Sequence, residues 1–223
     1  MYEKYFDIKR QKKMRENFLQ LGEKGVIKNY EKNSSILIQE KNSFCIVMDG
    51  KLKQSIYSNE GEEKTLYILQ TGEIFGEMDY FCGDKSQLVV KSIEKSKISF
   101  VNEKLMEEIL IENPEIYRDI IHSIVRKFRI VMFQMANIVF GDSYGRVADT
   151  LIRLYSQEGN DEEVGKILIE RLTHEQIANL IGCSRITVTR VLNDFKEEGL
   201  IEIQKGRILI KNIEDLEKYI KSR

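Results

Sequence analysis

The chain has 223 residues, 42% of them hydrophobic, one proline and a formal net charge of −1. That length serves two small domains or one larger one, and no stretch approaches the ~20 apolar residues of a membrane-spanning helix. The even charge balance excludes nucleic-acid binding through bulk positive charge, and segment 1–13 is charged where a secretory signal would be apolar.

Residues 26–100 read as short strands separated by turns. Segments 36–38, 44–48, 51–57, 64–69 and 88–90 are β-branched or aromatic runs, and Asp49-Gly50, Asn59-Glu60-Gly61, Thr71-Gly72 and Gly83-Asp84 punctuate them. Strands at this regular spacing predict a β-sandwich or roll. Asn102 is placed to cap a short helix running to Ile111, and Asn113-Pro114 to open a longer one ending near Val139. In that helix Tyr117, Ile121, Ile124, Phe128, Val131, Met135 and Ile138 step alternately by four and three residues. This is a heptad seam, and it predicts pairing with a second copy of the same helix. Packing of the seam on the β-roll of its own chain is the alternative, and Ile120, Val125 and Ile130 widen the apolar face enough for both. Phe140-Gly141-Asp142 breaks the pattern and makes Gly141 a natural hinge. Asp142 then caps a helix over 144–155, 156–165 reads as a polar acidic loop, and Asn212 caps a last helix running to Ile220.

The most informative segment is 172–192. Thr173 and Gln176 form a capping box, Gly182 supplies a tight turn, and Ser184 caps the next helix. Ile177, Leu180, Ile181, Val188, Val191 and Leu192 fall at helical spacing and would pack the two helices together. Arg185, Thr187, Thr189 and Arg190 then lie on the opposite face, where a helix-turn-helix presents its second helix to the major groove. Segments 201–203 and 208–210 around Lys205-Gly206 read as a hairpin, the wing of a winged helix. From Asp142 onward there are 13 Lys and Arg against 15 Asp and Glu. Positive charge on this domain is therefore local, on the second helix and on Lys205, Arg207 and Lys211.

The pattern Gly-x-Ser-Arg-x-Thr-Val-x-Arg-Val-Leu over 182–192 closely resembles the C-terminal domain of the Crp/Fnr (catabolite activator) family of bacterial transcription regulators. The resemblance covers nearly everything after residue 20. It implies an α+β protein in three parts: an effector-binding jelly roll of the cyclic-nucleotide-binding-like type with flanking helices (1–112), a long dimerisation helix (113–140) and a C-terminal winged helix-turn-helix (141–223). The seam residues Tyr117 to Ile138 become the dimer interface. By the same resemblance Arg185 and Arg190 meet a guanine or a phosphate. Thr173, Ser184, Thr187 and Thr189 belong to the DNA-facing set, the last three as phosphate contacts that position rather than specify. Ile186 stands where the family often carries Glu. An apolar side chain suits a thymine methyl, so the half-site is expected to be richer in A·T there. A symmetric dimer predicts an inverted repeat with half-sites ~34 Å apart.

Segment 72–86 resembles the phosphate-binding cassette of the cyclic-nucleotide fold. Gly76 and Glu77 match the pair that meets the ribose, and Lys85 and Ser86 fall where an Arg-Ser pair meets the cyclic phosphate. Lysine is a point charge without the bidentate fork of arginine. The helix positions that present hydroxyls to the base match Val131 and Met132, which form no such hydrogen bonds. An unidentified small-molecule effector is therefore expected, and cyclic AMP is not. A cyclic-AMP-dependent regulator and a constitutive member needing no effector are the alternatives.

Other cofactors find little support. The chain has two histidines, His122 and His174, and no cysteine before Cys45. Cys45, Cys82 and Cys183 lack metal-ligand spacing and fit a reducing cytoplasm. No catalytic constellation is legible, so the protein is not expected to be an enzyme, to hold a metal or to engage a membrane. The acidic loop resembles the place where activators of the family touch RNA polymerase, a possible further partner.

Overall fold

The structure is a computed structural model and describes residues 7–38, 43–83, 86–158, 167–169, 172–204 and 206–220. It divides into two compact bodies, Lys9–Arg129 and the chain from Ile130 onward.

The N-terminal body opens with α1 (Ile8–Gly22), followed by β1 (Val26–Tyr30), β2 (Ser35–Ile36), β3 (Phe44–Asp49), β4 (Lys51–Tyr57), β5 (Glu63–Gln70), β6 (Ile74–Phe75), α2 (Glu77–Cys82), β7 (Val89–Ser92) and β8 (Ser96–Val101). The strands form two antiparallel four-stranded sheets, ordered β1-β8-β3-β6 and β2-β7-β4-β5. Strand β3 shows why the body has this layering. Successive strand side chains point to opposite faces, and Phe44, Cys45, Ile46 and Val47 are all fully buried. Cys45 and Val47 join Leu52, Leu69, Phe75, Val90 and Ile98 in a core drawn from both sheets. Phe44 and Ile46 join Met14, Phe18 and Leu21 of α1, Met106, Ile109 and Leu110 of α3 (Glu103–Glu112), and Ile120 of α4 (Ile116–Phe140). A strand with apolar residues on both faces needs cover on both, here a sheet and a helical layer.

The expected strands are present with ends moved by at most two residues: 36–38 is β2 at Ser35–Ile36 and 88–90 is β7 at Val89–Ser92. Asn102 caps α3 by accepting from the Leu105 amide at 2.9 Å. Asn113-Pro114 does not open α4 directly. A tight turn intervenes, with amides of Ile116 and Tyr117 donating to the carbonyls of Asn113 and Pro114.

In the C-terminal body α5 (Ser143–Glu158) is capped by Asp142, whose Oδ1 accepts from the Gly145 amide at 2.9 Å. The helix takes in 156–158, which were expected to open the polar loop, and 159–166 lie outside the described residues. The last helix, α8 (Ile213–Glu217), keeps its Asn212 cap but stops short of Ile220. At the other end of α5, Arg146 donates from Nε to the carbonyls of Asn137 and Gly141, both at 3.1 Å, and from Nη2 to that of Ile138 at 2.8 Å. These carbonyls lie at and just beyond the α4 C-terminus, and a guanidinium complements both their charge and their geometry. The wing is a three-stranded sheet ordered β10 (Ile201–Gln204), β11 (Arg207–Ile210) and β9 (Ile167–Ile169), with Gly206 at φ +78° in the turn.

Candidate nucleic-acid interface and effector site

Helix α6 (His174–Ile181) begins with the full capping box. Thr173 Oγ1 accepts from the Gln176 amide at 3.1 Å, and the Gln176 side chain accepts from the Thr173 amide at 2.8 Å. The helix ends at Gly182, φ +68°, a left-handed conformation that costs other residues ~1–2 kcal/mol. Ser184 then caps α7 (Arg185–Glu197) by accepting from the Thr187 amide at 3.1 Å. Ile177, Leu180, Ile181, Val188, Val191 and Leu192 are all buried, as the spacing required. Phe195 extends this core into a ring cluster with Tyr144 and Tyr219.

What α7 leaves outside is the face expected to meet DNA. Arg185, Ile186, Thr189, Arg190 and Asn193 line an open concavity of about 570 Å³ together with Asp194 and Glu197. Ile186 is 81% exposed, an apolar side chain with no cover in the monomer. The hydroxyls nearby are already engaged. Ser184 Oγ and Thr187 Oγ1 lie 2.9 Å apart, and Thr189 Oγ1 donates to the Arg185 carbonyl at 2.9 Å. Thr189 Oγ1 also lies 2.8 Å from Nδ1 of His174. Asp194 accepts from the Tyr144 hydroxyl, which keeps that carboxylate bonded to α5. On the wing Lys211 pairs with Glu202 at 2.9 Å, and Lys205 lies outside the described residues.

The second site lies in the N-terminal body. Gly76 has φ +83°, and a Cβ there would meet the Ser43 carbonyl oxygen at 2.8 Å, so this glycine is required by the turn itself. The turn starts α2 at Glu77, 6% exposed, whose Oε1 accepts from Nζ of Lys127 at 2.7 Å. The same ammonium donates to the Ile74 carbonyl at 2.8 Å and lies 5.8 Å from the ring centre of Tyr67. Burial and the Glu77 charge push the Tyr67 hydroxyl up to about 12. Burial, with Glu77 and Asp79 nearby, also pushes the Cys45 thiol well above its ordinary range, which makes it a poor nucleophile. Beside this pair Glu73, 2% exposed, accepts from both Arg126 and Arg15, the latter at 2.8 Å. Burial alone would raise the Glu73 carboxyl, but the two guanidinium charges outweigh it and hold the group below the usual range.

Of the residues expected in the effector site, Gly76 and Glu77 lie together here. Ser86 donates its amide to Asp79 Oδ1 at 2.8 Å, and Lys85 is outside the described residues. Val131 is partly buried and Met132 is 52% exposed on the part of α4 that belongs to the C-terminal body. Sequence reasoning missed Arg15, Glu73, Arg126 and Lys127. A charge held inside the fold gives no periodic signal, whether on a helix or, like Glu73, in a turn, since its place depends on a partner distant in sequence.

Fold and sites define a transcription regulator of the sensor-and-winged-helix class, a two-sheet β domain followed by a helix-turn-helix domain with a wing. Comparison with known proteins supports both halves. The family model for the cyclic nucleotide-binding domain matches residues 27–113, and that for the Crp-like helix-turn-helix domain matches residues 145–219. A CRP-like cAMP-activated global transcriptional regulator of Mycobacterium tuberculosis is 29% identical over 171 residues, 77% of this chain and 76% of its own. The global nitrogen regulator of Synechococcus elongatus is 27% identical over 169 residues, 75% of this chain and 76% of its own. Among solved structures, a CooA mutant from Carboxydothermus hydrogenoformans matches with TM-score 0.76 at 22% identity, covering 92% of this chain and 90% of that one. The chain belongs to the Crp/Fnr family of transcription regulators. Among the described residues no helix is long and apolar enough to cross a membrane.

Proposed function

We propose that the protein works as a homodimer on an inverted-repeat operator, and that a small molecule other than cyclic AMP sets its affinity for DNA. The observation that carries the dimer is the uncovered seam of α4. Tyr117, Ile121, Ile124, Phe128, Met135 and Ile138 are 38–63% exposed in the single chain, although Ile120 and Ile130 on the same helix are buried. Packing on the chain's own β-roll leaves this stripe in water, and a second copy of α4 would cover it. Two recognition helices related by a two-fold axis then select an inverted repeat. The proposed DNA contacts are Thr173, Ser184, Arg185, Ile186, Thr187, Thr189 and Arg190. RNA polymerase is proposed as a further partner.

The effector assignment rests on Val131 and Met132, whose side chains offer a base edge no hydrogen bonds, and on lysine in place of arginine at 85. Cyclic AMP is the second reading. The Mycobacterium tuberculosis relative is described as cAMP-activated, and the buried Oε2 of Glu77 has no hydrogen-bond partner in the structure, so it is open to a ligand hydroxyl. Selection of duplex DNA from a random library by the additive-free protein tests the first part, with an enriched inverted repeat expected. Thermal melting with cyclic AMP tests the second. No stabilisation is expected, and a selective rise in Tm would move the assignment to the cyclic nucleotide.

A further inference from the structure

One amide inside the N-terminal body is buried without a bond. Gln54 of β4 stands opposite Tyr67 of β5 on one side and Val90 of β7 on the other. Two residues earlier Leu52 stands opposite Leu69, and Leu52, Leu69 and Val90 all belong to the core drawn from both sheets. Directly opposed residues share a face, and so do residues two apart on a strand, so Gln54 faces that core. It is 4% exposed, and among the described residues its Oε1 has no hydrogen-bond partner. The polar groups beside it are satisfied. Ser55 Oγ donates to Glu63 Oε1 at 2.8 Å, and Lys53 Nζ to Glu63 Oε2 at 2.6 Å. Native cores seldom keep an unpaired amide, because a hydrocarbon of the same size fills the space without the desolvation penalty.

Tyr67 connects Gln54 to a second spare acceptor. Its ring centre lies 5.8 Å from Nζ of Lys127, which holds Glu77 Oε1 and leaves the buried Oε2 without a partner among the described residues. The chemistry of these groups narrows what can join them. An anion brings its lone pairs against two acceptors. A cation meets the ammonium of Lys127, already paired with Glu77. An apolar group leaves both oxygens unpaired. A neutral hydroxyl donates to either oxygen. It also accepts from the third N–H of Lys127, whose other two go to the Ile74 carbonyl and to Glu77. We propose that the effector carries neighbouring neutral hydroxyls, as a free sugar or the sugar of a nucleoside does, and that Gln54 and Glu77 accept from them between the sheets. Gln54 is then a specificity-determining residue. The proposal rests on the small-molecule reading above and names the class of the molecule.

The test measures thermal melting and isothermal titration calorimetry on the full chain. D-glucose, D-ribose and adenosine probe the hydroxyls, succinate an anion and putrescine a cation, with cyclic AMP alongside. At least one hydroxyl probe is expected to raise Tm and to give a saturable heat, and succinate and putrescine to do neither. Binding of ribose or glucose assigns the hydroxyls to a free sugar, and binding of adenosine alone assigns them to a nucleoside. Cyclic AMP, whose phosphate ring consumes one of two neighbouring hydroxyls, should not bind more tightly than adenosine. Gln54→Met keeps the length of the side chain and removes the amide. It should leave the Tm of the free protein unchanged or higher, and weaken the probe that binds by about tenfold or more. The proposal is overturned by silence from all three hydroxyl probes, by a response to succinate or putrescine, or by cyclic AMP binding more tightly than adenosine. Full affinity in Gln54→Met overturns it too, as does a free Gln54→Met protein that melts well below the wild type. In each of these cases the small-molecule reading stands. A hydroxyl probe that binds but leaves operator affinity unchanged in fluorescence anisotropy overturns that reading instead, and the site remains.

Discussion

Glu73 shows how much one side chain can organise. It lies in the turn between β5 and β6, takes Arg15 from α1 and Arg126 from α4, and also accepts from the Gln70 amide at 3.2 Å. Removing one partner of such a buried cluster leaves the others desolvated without compensation. Glu73→Gln should cost on the order of 3 kcal/mol in urea unfolding of the N-terminal body. Because its folded-state pKa lies below the unfolded value, Glu73 contributes stability that is present above the unfolded carboxyl value and lost as pH falls through the folded one. The wild type should therefore soften below about pH 4, and Glu73→Gln should lack that part of the acid response. Ile186 has the opposite character, being almost fully in water. Its substitution by Glu should leave stability within about 0.5 kcal/mol and move the preferred base pair at one operator position toward C·G. An unchanged motif in repeated selection would sink that assignment.

At the scale of elements, caps decide the helix-turn-helix. Thr173→Ala removes one side of the capping box and should destabilise the C-terminal body by about 1 kcal/mol. Gly182→Val forces a β-branched residue to positive φ in the turn and should cost more, with DNA binding weakened in step. Both are read by thermal unfolding alongside operator affinity. These elements were legible because their signals are local: Thr173, Gln176, Gly182 and Ser184 sit within twelve residues of one another. Helix α1 was not. It carries Met14, Phe18 and Leu21 at helical spacing, but Lys9, Arg10, Lys12, Lys13 and Arg15 surround them, and the apolar stripe is too thin to stand out. Strand β1 was equally muted, with four of its five residues exposed, and its place is set by pairing with β8. The effector site was half legible. Gly76 and Glu77 carry a turn signature, whereas Lys127 sits between seam positions of α4 and only the fold shows it turned to Glu77.

At the scale of the whole molecule, the seam of α4 is the proposed dimer interface, and on that reading it governs whether two DNA-binding domains act together. Ile121→Glu with Phe128→Glu places charges on an exposed stripe, so the single chain should stay folded while the dimer is lost. Sedimentation should report monomers, and operator affinity should fall by about a hundredfold or more as the two half-sites cease to be bound as one. A dimer that survives both changes would place the interface elsewhere. Where α4 ends, the guanidinium of Arg146 holds the carbonyls of Asn137, Ile138 and Gly141 at once. Turning α5 about that end has to release these bonds as a group, because they converge on one planar fork. Such a joint is expected to behave like a detent, moving between seated positions rather than continuously, and Arg146→Ala is expected to turn a stepwise response of operator affinity into a graded one.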